Sequence, residues 1–205
     1  MNKFLISLYL LLSVGFLEAQ NRTDVRIQNN VFSVSYNEVL EQPNWVEYNV
    51  RNITKKFDRG SMDFYVPKGV HTSDNNDYKN NVWDKGHMAP AAAFTDTKEN
   101  LKTTFSYLNC SLQFDKLNRG AWRELEAQER IWAKEFGTLK VRVVLEFKDG
   151  YLILPTGGHV PSGYWKHITF PNGRKECFYF PNSVPTKHWS DYEIQCQVRR
   201  EKTLF

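Results

Sequence analysis

The stretch Asp84-Lys85-Gly86-His87-Met88-Ala89-Pro90-Ala91 carries the strongest signal in this sequence. We expect a loop here, flanked by polar residues, in which the glycine lets a ligand approach the backbone closely. A neutral imidazole accepts a proton near pH 7, because its reference pKa is about 6.5. His87 is therefore the candidate general base, although a lone histidine is more often structural or solvated. The histidines that lack a comparable flanking pattern are His71, His159, His167 and His188.

A second polar segment downstream gives the histidine stretch its weight. It runs from Asn109 to Gln113, continues as Leu117-Asn118-Arg119-Gly120-Ala121-Trp122, and adds Glu126 and Arg130. Asn118 is a candidate ligand for Mg²⁺, because this ion prefers oxygen ligands and usually keeps several waters. With a base, an amide oxygen, an acid and an arginine, the two segments hold the groups that phosphodiester cleavage requires.

Two structural interpretations compete with this assignment. Asparagine is a favoured N-cap residue, so Asn118 is also explained as the start of a helix. Glu126 and Arg130 have the i, i+4 spacing of a solvated ion pair on a helix surface. Both interpretations remain open on the sequence alone.

The residues around these groups predict one long helix over residues 117–136. The apolar residues that share one side at about 100° per residue are Ala121, Leu125, Trp132 and Phe136. Glu126 and Arg130 border this stripe, so they can line a cleft while the stripe faces the core. Glu129 falls inside the stripe and needs a buried partner that the pattern does not identify.

Alternation of apolar and polar residues predicts an antiparallel sheet elsewhere. The predicted strands are Val31–Tyr36, Trp45–Val50, Val141–Phe147 and Tyr151–Leu154, with a hairpin of Tyr164–Phe170 and Glu176–Phe180 around Asn172-Gly173. Residues 71–81 are rich in Asp and Asn, so we expect a surface loop that leads to His87. The predicted fold class is α+β, an antiparallel sheet core with one long functional helix.

The N-terminal residues differ in character from the rest. Lys3 precedes an apolar run from Phe4 to Leu17, and Ala19 is a small residue suited to cleavage. The run is shorter than the roughly 18 residues of a membrane-spanning helix. We therefore predict a signal peptide at residues 1–19, with an uncleaved anchor as the alternative. The mature protein is then secreted or periplasmic, with no membrane attachment.

The remaining residues, 20–205, contain no repeat and no linker-like shift in composition, which predicts a single domain. Hydrophobic residues at 41% and aromatic residues at 15% of the chain exclude a disordered protein. The formal net charge of +4 suits a polyanionic partner without requiring one.

Three cysteines allow at most one internal disulfide. Export implies an oxidising compartment, so we pair Cys177 with Cys196, which both lie in the C-terminal part. Cys110 then remains as a free, buried thiol. The alternative is that all three are unpaired small core residues.

Together the two polar segments resemble the DNA/RNA non-specific endonuclease family, relatives of mitochondrial endonuclease G within the His-Me finger (ββα-metal) superfamily. The family's Asp-Arg-Gly-His with a following Pro-Ala pair stands here as Asp84-Lys85-Gly86-His87 with Pro90-Ala91. Its Asn-x-x-x-Gln, Asn-x-Gly-x-Trp and Glu-x-x-x-Arg stand as Asn109 to Gln113, Asn118 to Trp122 and Glu126 to Arg130. The resemblance spans residues 45–180 and implies a ββα-metal motif whose helix bears the metal.

The resemblance implies a Mg²⁺-dependent, sugar-non-specific endonuclease that cuts DNA and RNA to oligonucleotides with 5′ phosphates. His87 would activate water, and Asn118 would hold one mostly hydrated Mg²⁺, with Mn²⁺ or another divalent cation as the alternative. Glu126 would orient metal-bound water, with Arg130 beside it near the phosphate. Asn109 would organise the centre near His87. Arg59, upstream of the histidine, would neutralise the phosphate.

Lys85 and Arg119 are the remaining residues that we expect to contact substrate. Lys85 stands where the family has arginine, so it keeps the charge but loses the planar fork that binds phosphate bidentately. Activity should survive, with phosphate positioning or rate changed. We also allow for a homodimer.

Two other functions compete with the endonuclease. One is a catalytically silent nucleic-acid-binding protein on the same fold, with Lys85 as its first lesion and salt-dependent binding. The other is a thiol hydrolase that pairs Cys110 with His87, for which no activating context is visible.

Overall fold

The computed structural model describes residues 21–196. A seven-stranded antiparallel sheet dominates this part of the chain, and two further strands pair only with each other. The strands are β1 (Val25–Gln28), β2 (Phe32–Asn37), β3 (Gln42–Val50), β4 (Trp83–His87), β5 (Cys110–Phe114), β6 (Leu139–Glu146), β7 (Gly163–Thr169), β8 (Lys175–Pro181) and β9 (Glu193–Ile194). The large sheet has the order β1-β2-β3-β6-β7-β8-β9, and β4 pairs with β5.

Alternating burial along the strands builds the core. In β6, Leu139, Val141 and Val143 are fully buried, whereas Lys140 between them is exposed. Successive side chains of a strand point to opposite faces, so this alternation directs one face into the protein. The fold is a mixed, sheet-dominated α+β fold, as predicted.

The helical segments lie between and after the paired strands β4 and β5. Helix α1 (Lys98–Thr104) lies between these two strands in sequence, and β5 leads directly into α2 (Asp115–Leu117), a π-helical turn (Asn118–Trp122) and α3 (Arg123–Phe136). The predicted helix over residues 117–136 is thus confirmed, with a kink at Gly120, where φ is −108° and ψ is −116°.

One side chain of β7 fixes the relative position of the helix and the small strand pair. The Tyr164 ring lies 5.4 Å from the Trp122 ring, measured between centroids. The Tyr164 hydroxyl donates to the Leu112 carbonyl of β5 over 3.2 Å. Because Tyr164 contacts both, β5 and the kinked helix lie on the same face of the large sheet.

Most of the predicted strands are confirmed, as β2, β3, β6 and the β7–β8 hairpin. The strand predicted at Tyr151–Leu154 is wrong, since only an isolated bridge between Ile153 and His159 forms there. The amide of Leu154 bonds the Gly158 carbonyl, so a local turn uses the backbone groups that a strand would need. Within the predicted surface loop at residues 71–81, one 3₁₀ turn (Asn75–Tyr78) forms.

The cysteines pair as predicted. A disulfide joins Cys177 of β8 to Cys196, with their Cα atoms 5.2 Å apart, and Cys110 is a buried free thiol. The predicted signal peptide at residues 1–19 lies outside the described residues. Within residues 21–196, no helix has the length and apolar character needed to cross a membrane.

Candidate active site

His87 is the last residue of β4, where it lies opposite Cys110 of β5. The prediction that it lies in a loop is therefore wrong. Pairing with β5 satisfies the backbone groups of this stretch, and that tertiary contact overrides its polar composition. The turn that follows the strand begins just after the imidazole, so the strand end holds the ring while the loop beyond it leaves the sheet.

Gly86 has a different role from the expected one. A Cβ atom at this position would lie 2.4 Å from Gln113 Oε1 and 2.6 Å from Gln113 Cβ. The glycine therefore makes room for the side chain of Gln113 on β5, rather than for a ligand. The close contact that requires glycine at position 86 is therefore between β4 and β5.

The imidazole of His87 is enclosed by aromatic rings. Its centroid lies 4.6 Å from that of Phe64 and 4.8 Å from that of Phe105. Its Nε2 atom is buried and has no hydrogen-bond partner among residues 21–196. Burial, assisted by the positive charge of Arg59, lowers the pKa of His87 to about 3. The ring is therefore neutral at physiological pH and holds an unused nitrogen.

Asn109 fixes the turn that follows His87. Its Oδ1 accepts a hydrogen bond from the Ala89 amide over 2.7 Å, and its Nδ2 donates to the carbonyls of Ala89 and Thr104, each over 2.9 Å. The side chain is fully buried. Asn109 thus binds backbone two residues beyond the imidazole, which is the neighbourhood that we expected for it.

Lys85 and His87 point to the same face of β4, as residues two apart in a strand must. The Lys85 ammonium lies 6.0 Å from the centroid of the Phe64 ring that packs on His87. It is held by Asp63, 2.8 Å from Oδ1, and by the Asn75 side chain. The lysine that replaces the family arginine therefore already has an acidic partner, and its contact with substrate stays a prediction.

Asp84, on the opposite face of β4, links this strand to the kinked helix. One of its oxygens accepts from Asn118 Nδ2 over 2.9 Å, and the carboxylate also binds the Arg119 guanidinium at 2.7 Å and 2.5 Å. The N-cap interpretation of Asn118 is wrong, because its side chain binds Asp84 and Phe114 precedes the first helical turn. Asp84 binds Arg119 through Nε and Nη2, while the Arg119 side chain stays 68% exposed, so its contact with substrate stays a prediction.

Glu126 and Arg130 do not form a solvated ion pair. Arg130 Nη1 donates to the backbone carbonyl of Glu126 over 2.8 Å. Glu126 Oε1 is buried and, within the described residues, has no hydrogen-bond partner. Burial raises the pKa of this carboxyl to about 7, with Lys166 opposing the rise and Glu129 reinforcing it.

Lys166 is the partner that Glu129 needs, and the sequence pattern did not identify it. The two side chains are fully buried, and Glu129 Oε1 lies 2.7 Å from Lys166 Nζ, an approach outside hydrogen-bond angles. The Tyr48 hydroxyl donates to Glu129 Oε2 over 3.2 Å, and Lys166 Nζ lies 4.1 Å above the Trp122 ring. The sequence did hold a signal for this partner: Lys166 occupies an inward position of a predicted strand, between the buried Tyr164 and Ile168.

Arg59 and Arg130 line one cleft beside His87. The Arg59 guanidinium carbon lies 5.1 Å from the centroid of the Phe105 ring, which also contacts the imidazole. Ala91, four residues after His87, lines the same cleft. The structure thus places two arginines in one cleft, and His87 lies beside it, in contact with the Phe105 ring that Arg59 also approaches.

Cys110 has no arrangement suited to nucleophilic catalysis. Its Sγ atom lies 3.2 Å from the Tyr78 hydroxyl. Burial raises the pKa of this thiol well above its ordinary value. A reactive thiol requires a lowered pKa, so the thiol hydrolase hypothesis has no support.

Comparison with known proteins agrees with this geometry. The chain is similar to mitochondrial endonuclease G of Bos taurus, with 31% identity over 86 residues that cover 40% of this chain and 29% of that protein. It is similar to a nuclease of a Nostoc strain, with 28% identity over 145 residues, 68% of this chain and 52% of that protein. These matches span about half of these relatives or less.

A solved structure and a family description extend the comparison. A structure of EndoG in complex with EndoGI matches with a TM-score of 0.74 and 25% identity, covering 83% of this chain and 80% of that one. The family described as DNA/RNA non-specific endonuclease matches residues 11–203. With nearly the whole sequence matched, this chain belongs to the DNA/RNA non-specific endonuclease family.

Proposed function

We propose that this protein is a divalent-metal-dependent endonuclease that hydrolyses phosphodiester bonds in DNA and RNA and leaves 5′ phosphates on the products. The observation that carries the proposal is the buried, unpartnered Nε2 of His87 beside Arg59. A buried polar atom without a partner requires an explanation. A water molecule that gives up its proton to this nitrogen during attack on the phosphate supplies one.

The low pKa of His87 favours this role in one respect and limits it in another. It keeps the nitrogen unprotonated, and therefore available, from weakly acidic to basic pH. An imidazole with so low a pKa is a weak base. A phosphate anion beside the ring stabilises the imidazolium and raises its pKa, so substrate binding strengthens the base when it is needed.

The residues fit one hydrated Mg²⁺, with Mn²⁺ or another divalent cation as the alternative. Residues 21–196 contain no cluster of three or more His, Cys, Asp or Glu side chains that could hold a metal, so an ion here would keep most of its waters. Asn118 Nδ2 is bound by Asp84, which leaves the amide oxygen as a neutral ligand. When bound, the ion would supply charge stabilisation at the phosphate and at the leaving 3′ oxygen.

The remaining side chains would bind the phosphate, orient water and hold the turn after His87. Glu126 offers an unpartnered carboxylate oxygen that would accept a hydrogen bond from a water in the site. Arg59 and Arg130 would neutralise the phosphate, and guanidinium groups suit this because they donate two parallel hydrogen bonds. Asn109 would keep the turn after His87 in place.

A silent nucleic-acid-binding protein is the second candidate function. The contact between Lys85 and Asp63 favours it, because that lysine is not free to contact a phosphate. The unpartnered atoms of His87 and Glu126 favour the endonuclease, because a protein that only binds has no use for them.

We further propose that the protein is exported, with residues 1–19 as a cleaved signal peptide. The Cys177–Cys196 disulfide suits an oxidising compartment. N-terminal sequencing of the protein recovered outside the cytoplasm would locate the cleavage. A protein retained in the cytoplasm with Met1 intact would contradict export.

The function is tested by digestion of plasmid DNA and total RNA with Mg²⁺, with Mn²⁺ and with EDTA. Wild-type protein should cut both substrates with metal, and EDTA or His87→Ala should abolish cutting. His188→Ala is the matched control, because this exposed histidine lies outside the site, and it should cut normally. Retarded migration of the nucleic acid without cleavage, under all metals, would establish the silent binder instead.

A further inference from the structure

The cleft that holds Arg59 and Arg130 extends beyond the candidate active site. It has a volume of about 560 Å³ and is formed by residues 51–59, the turn after His87 and the last turns of α3. His87, Asn118 and Glu126 do not line it, so their proposed roles leave most of this cleft unexplained.

The cleft is strongly cationic. Arg51, Lys55, Arg59, Arg130 and Lys134 line it, against the single carboxylate of Asp58. This excess of four positive charges equals the formal net charge of the whole chain, 27 basic minus 23 acidic residues. The side chains that line the cleft therefore favour an anionic ligand.

Two of these cations are engaged only weakly or not at all. Arg51 forms one half-exposed ion pair with Asp96 at 3.7 Å, a type of contact that contributes little to stability. Lys134 makes no ion pair or hydrogen bond with any residue from 21 to 196. Both side chains are thus available to an anion in the cleft.

The cleft also has an apolar part. Ile53, Ala91, Ala92 and Leu101 contribute to its lining, and Phe57 is 39% exposed at its edge. An exposed aromatic ring beside cationic side chains matches how proteins bind single strands, because a base stacks on the ring while cations follow the backbone.

We propose that this cleft binds the single-stranded stretch of nucleic acid next to the cleaved bond, with Arg51 and Lys134 on its phosphates and Phe57 stacked on an unpaired base. The inference rests on the proposed endonuclease function and adds a preference for single strands. A duplex keeps its bases paired and stacked, so it gains the phosphate contacts but not the contact with Phe57.

The phosphate contacts are tested by their salt dependence. Binding of a fluorescent single-stranded oligonucleotide is measured by anisotropy in EDTA, on a His87→Ala background, so that nothing is cut. Between about 50 and about 200 mM salt, Lys134→Gln should reduce the slope of log affinity against log salt by about 0.7, as should Arg51→Gln. Lys175→Gln removes the same charge from an exposed position on β8 and should leave the slope unchanged.

The base contact is tested by Phe57→Ala. This variant should weaken binding of the single strand by roughly 5- to 150-fold and leave binding of a duplex unchanged. Phe57→Leu is the control for lost apolar surface. It should weaken binding of the single strand less than Phe57→Ala does, but still measurably, because leucine lacks the ring.

The results separate the two proposals. Equal slopes for Lys134→Gln and Lys175→Gln, or equal weakening of single strand and duplex by Phe57→Ala, would overturn the cleft proposal even if the enzyme cuts. If Lys134→Gln reduces the salt slope of binding but the wild-type protein cuts nothing, the cleft proposal stands and the endonuclease proposal is overturned.

Discussion

The buried ion pair between Lys166 and Glu129 allows a sharp test of the energetics beneath the site. Replacing Lys166 by Met leaves the Glu129 carboxylate buried with only the Tyr48 hydroxyl as a partner, 3.2 Å away. Replacing Glu129 by Met leaves the Lys166 ammonium buried without its ion-pair partner, with the Trp122 ring 4.1 Å away. Each single substitution therefore strands one charge in a fully buried place.

The expected magnitudes follow from that burial. Removal of one partner from a buried pair costs roughly 3–5 kcal/mol of unfolding free energy. If the two losses were independent, the double substitution would cost roughly 6–10 kcal/mol, enough to unfold many domains. We expect only about 1–3 kcal/mol for the double variant, because no charge is stranded and only the Tyr48 hydroxyl lacks an acceptor.

Urea unfolding followed by tryptophan fluorescence gives these free energies, provided that the m-values stay unchanged. The surface pair of Lys140, which is exposed, and Glu47, which is partly buried, is the matched control. Its atoms lie 3.0 Å apart, and its double-mutant cycle should yield less than about 1 kcal/mol. Additivity of the Lys166 and Glu129 substitutions within about 0.5 kcal/mol would refute the argument.

Three further predictions concern the site itself. Gly86→Ala should destabilise the protein by roughly 1–3 kcal/mol in urea unfolding, because the new Cβ overlaps Gln113; an unchanged midpoint would contradict the tight contact. Asn109→Ala should cost roughly 3 kcal/mol and lower kcat, because it strands the amide and carbonyl of Ala89; a variant with wild-type stability would show that water replaces the side chain. The pKa of Glu126, about 7 against an ordinary 4.5, means that metal-free protein loses stability as pH rises through this window. Glu126→Gln should therefore be more stable than wild type by about 3 kcal/mol at about pH 8 and equal to it below about pH 4, and a difference that is independent of pH would contradict this.

The large sheet could be predicted from the sequence because its strands alternate in polarity. β6 is the clearest case, since Leu139, Val141 and Val143 alternate with charged residues. β4 could not be predicted in this way. Its residues Asp84, Lys85 and His87 are all polar. Their side chains contact Arg119, Asp63 and the Phe64 ring, so the strand shows no alternating apolar face. Alternating polarity reveals a strand only where one of its faces is apolar and buried, and β4 has no such pattern.

Motif spacing could nominate residues for the candidate site, but it could not identify the partners of their charges. Asn118 and Glu126 could be identified from motif spacing, and Arg59 does lie beside His87. Lys85 and Arg119 are engaged by Asp63 and Asp84, contacts made across β-pairing and helix packing that no local pattern encodes. Such pairs depend on three-dimensional proximity between segments that are 22 and 35 residues apart.

The buried position of the ion pair makes desolvation of its two charges costly in free energy. Its position beside Glu126 suggests what the pair does in return. Replacing a buried pair with apolar residues is often neutral or stabilising, so stability alone does not account for Lys166 and Glu129. Glu129 lies one helical turn beyond Glu126, and its carboxylate adds to the rise in the pKa of Glu126 that burial causes. The ammonium of Lys166 opposes the rise in the pKa of Glu126. Without Lys166, more of Glu126 would carry a proton at neutral pH, and a protonated carboxyl is a poorer acceptor for a water in the site. Under the proposed endonuclease function, the pair therefore acts through the charge of Glu126, and Lys166→Met should lower activity even under conditions where the variant remains folded.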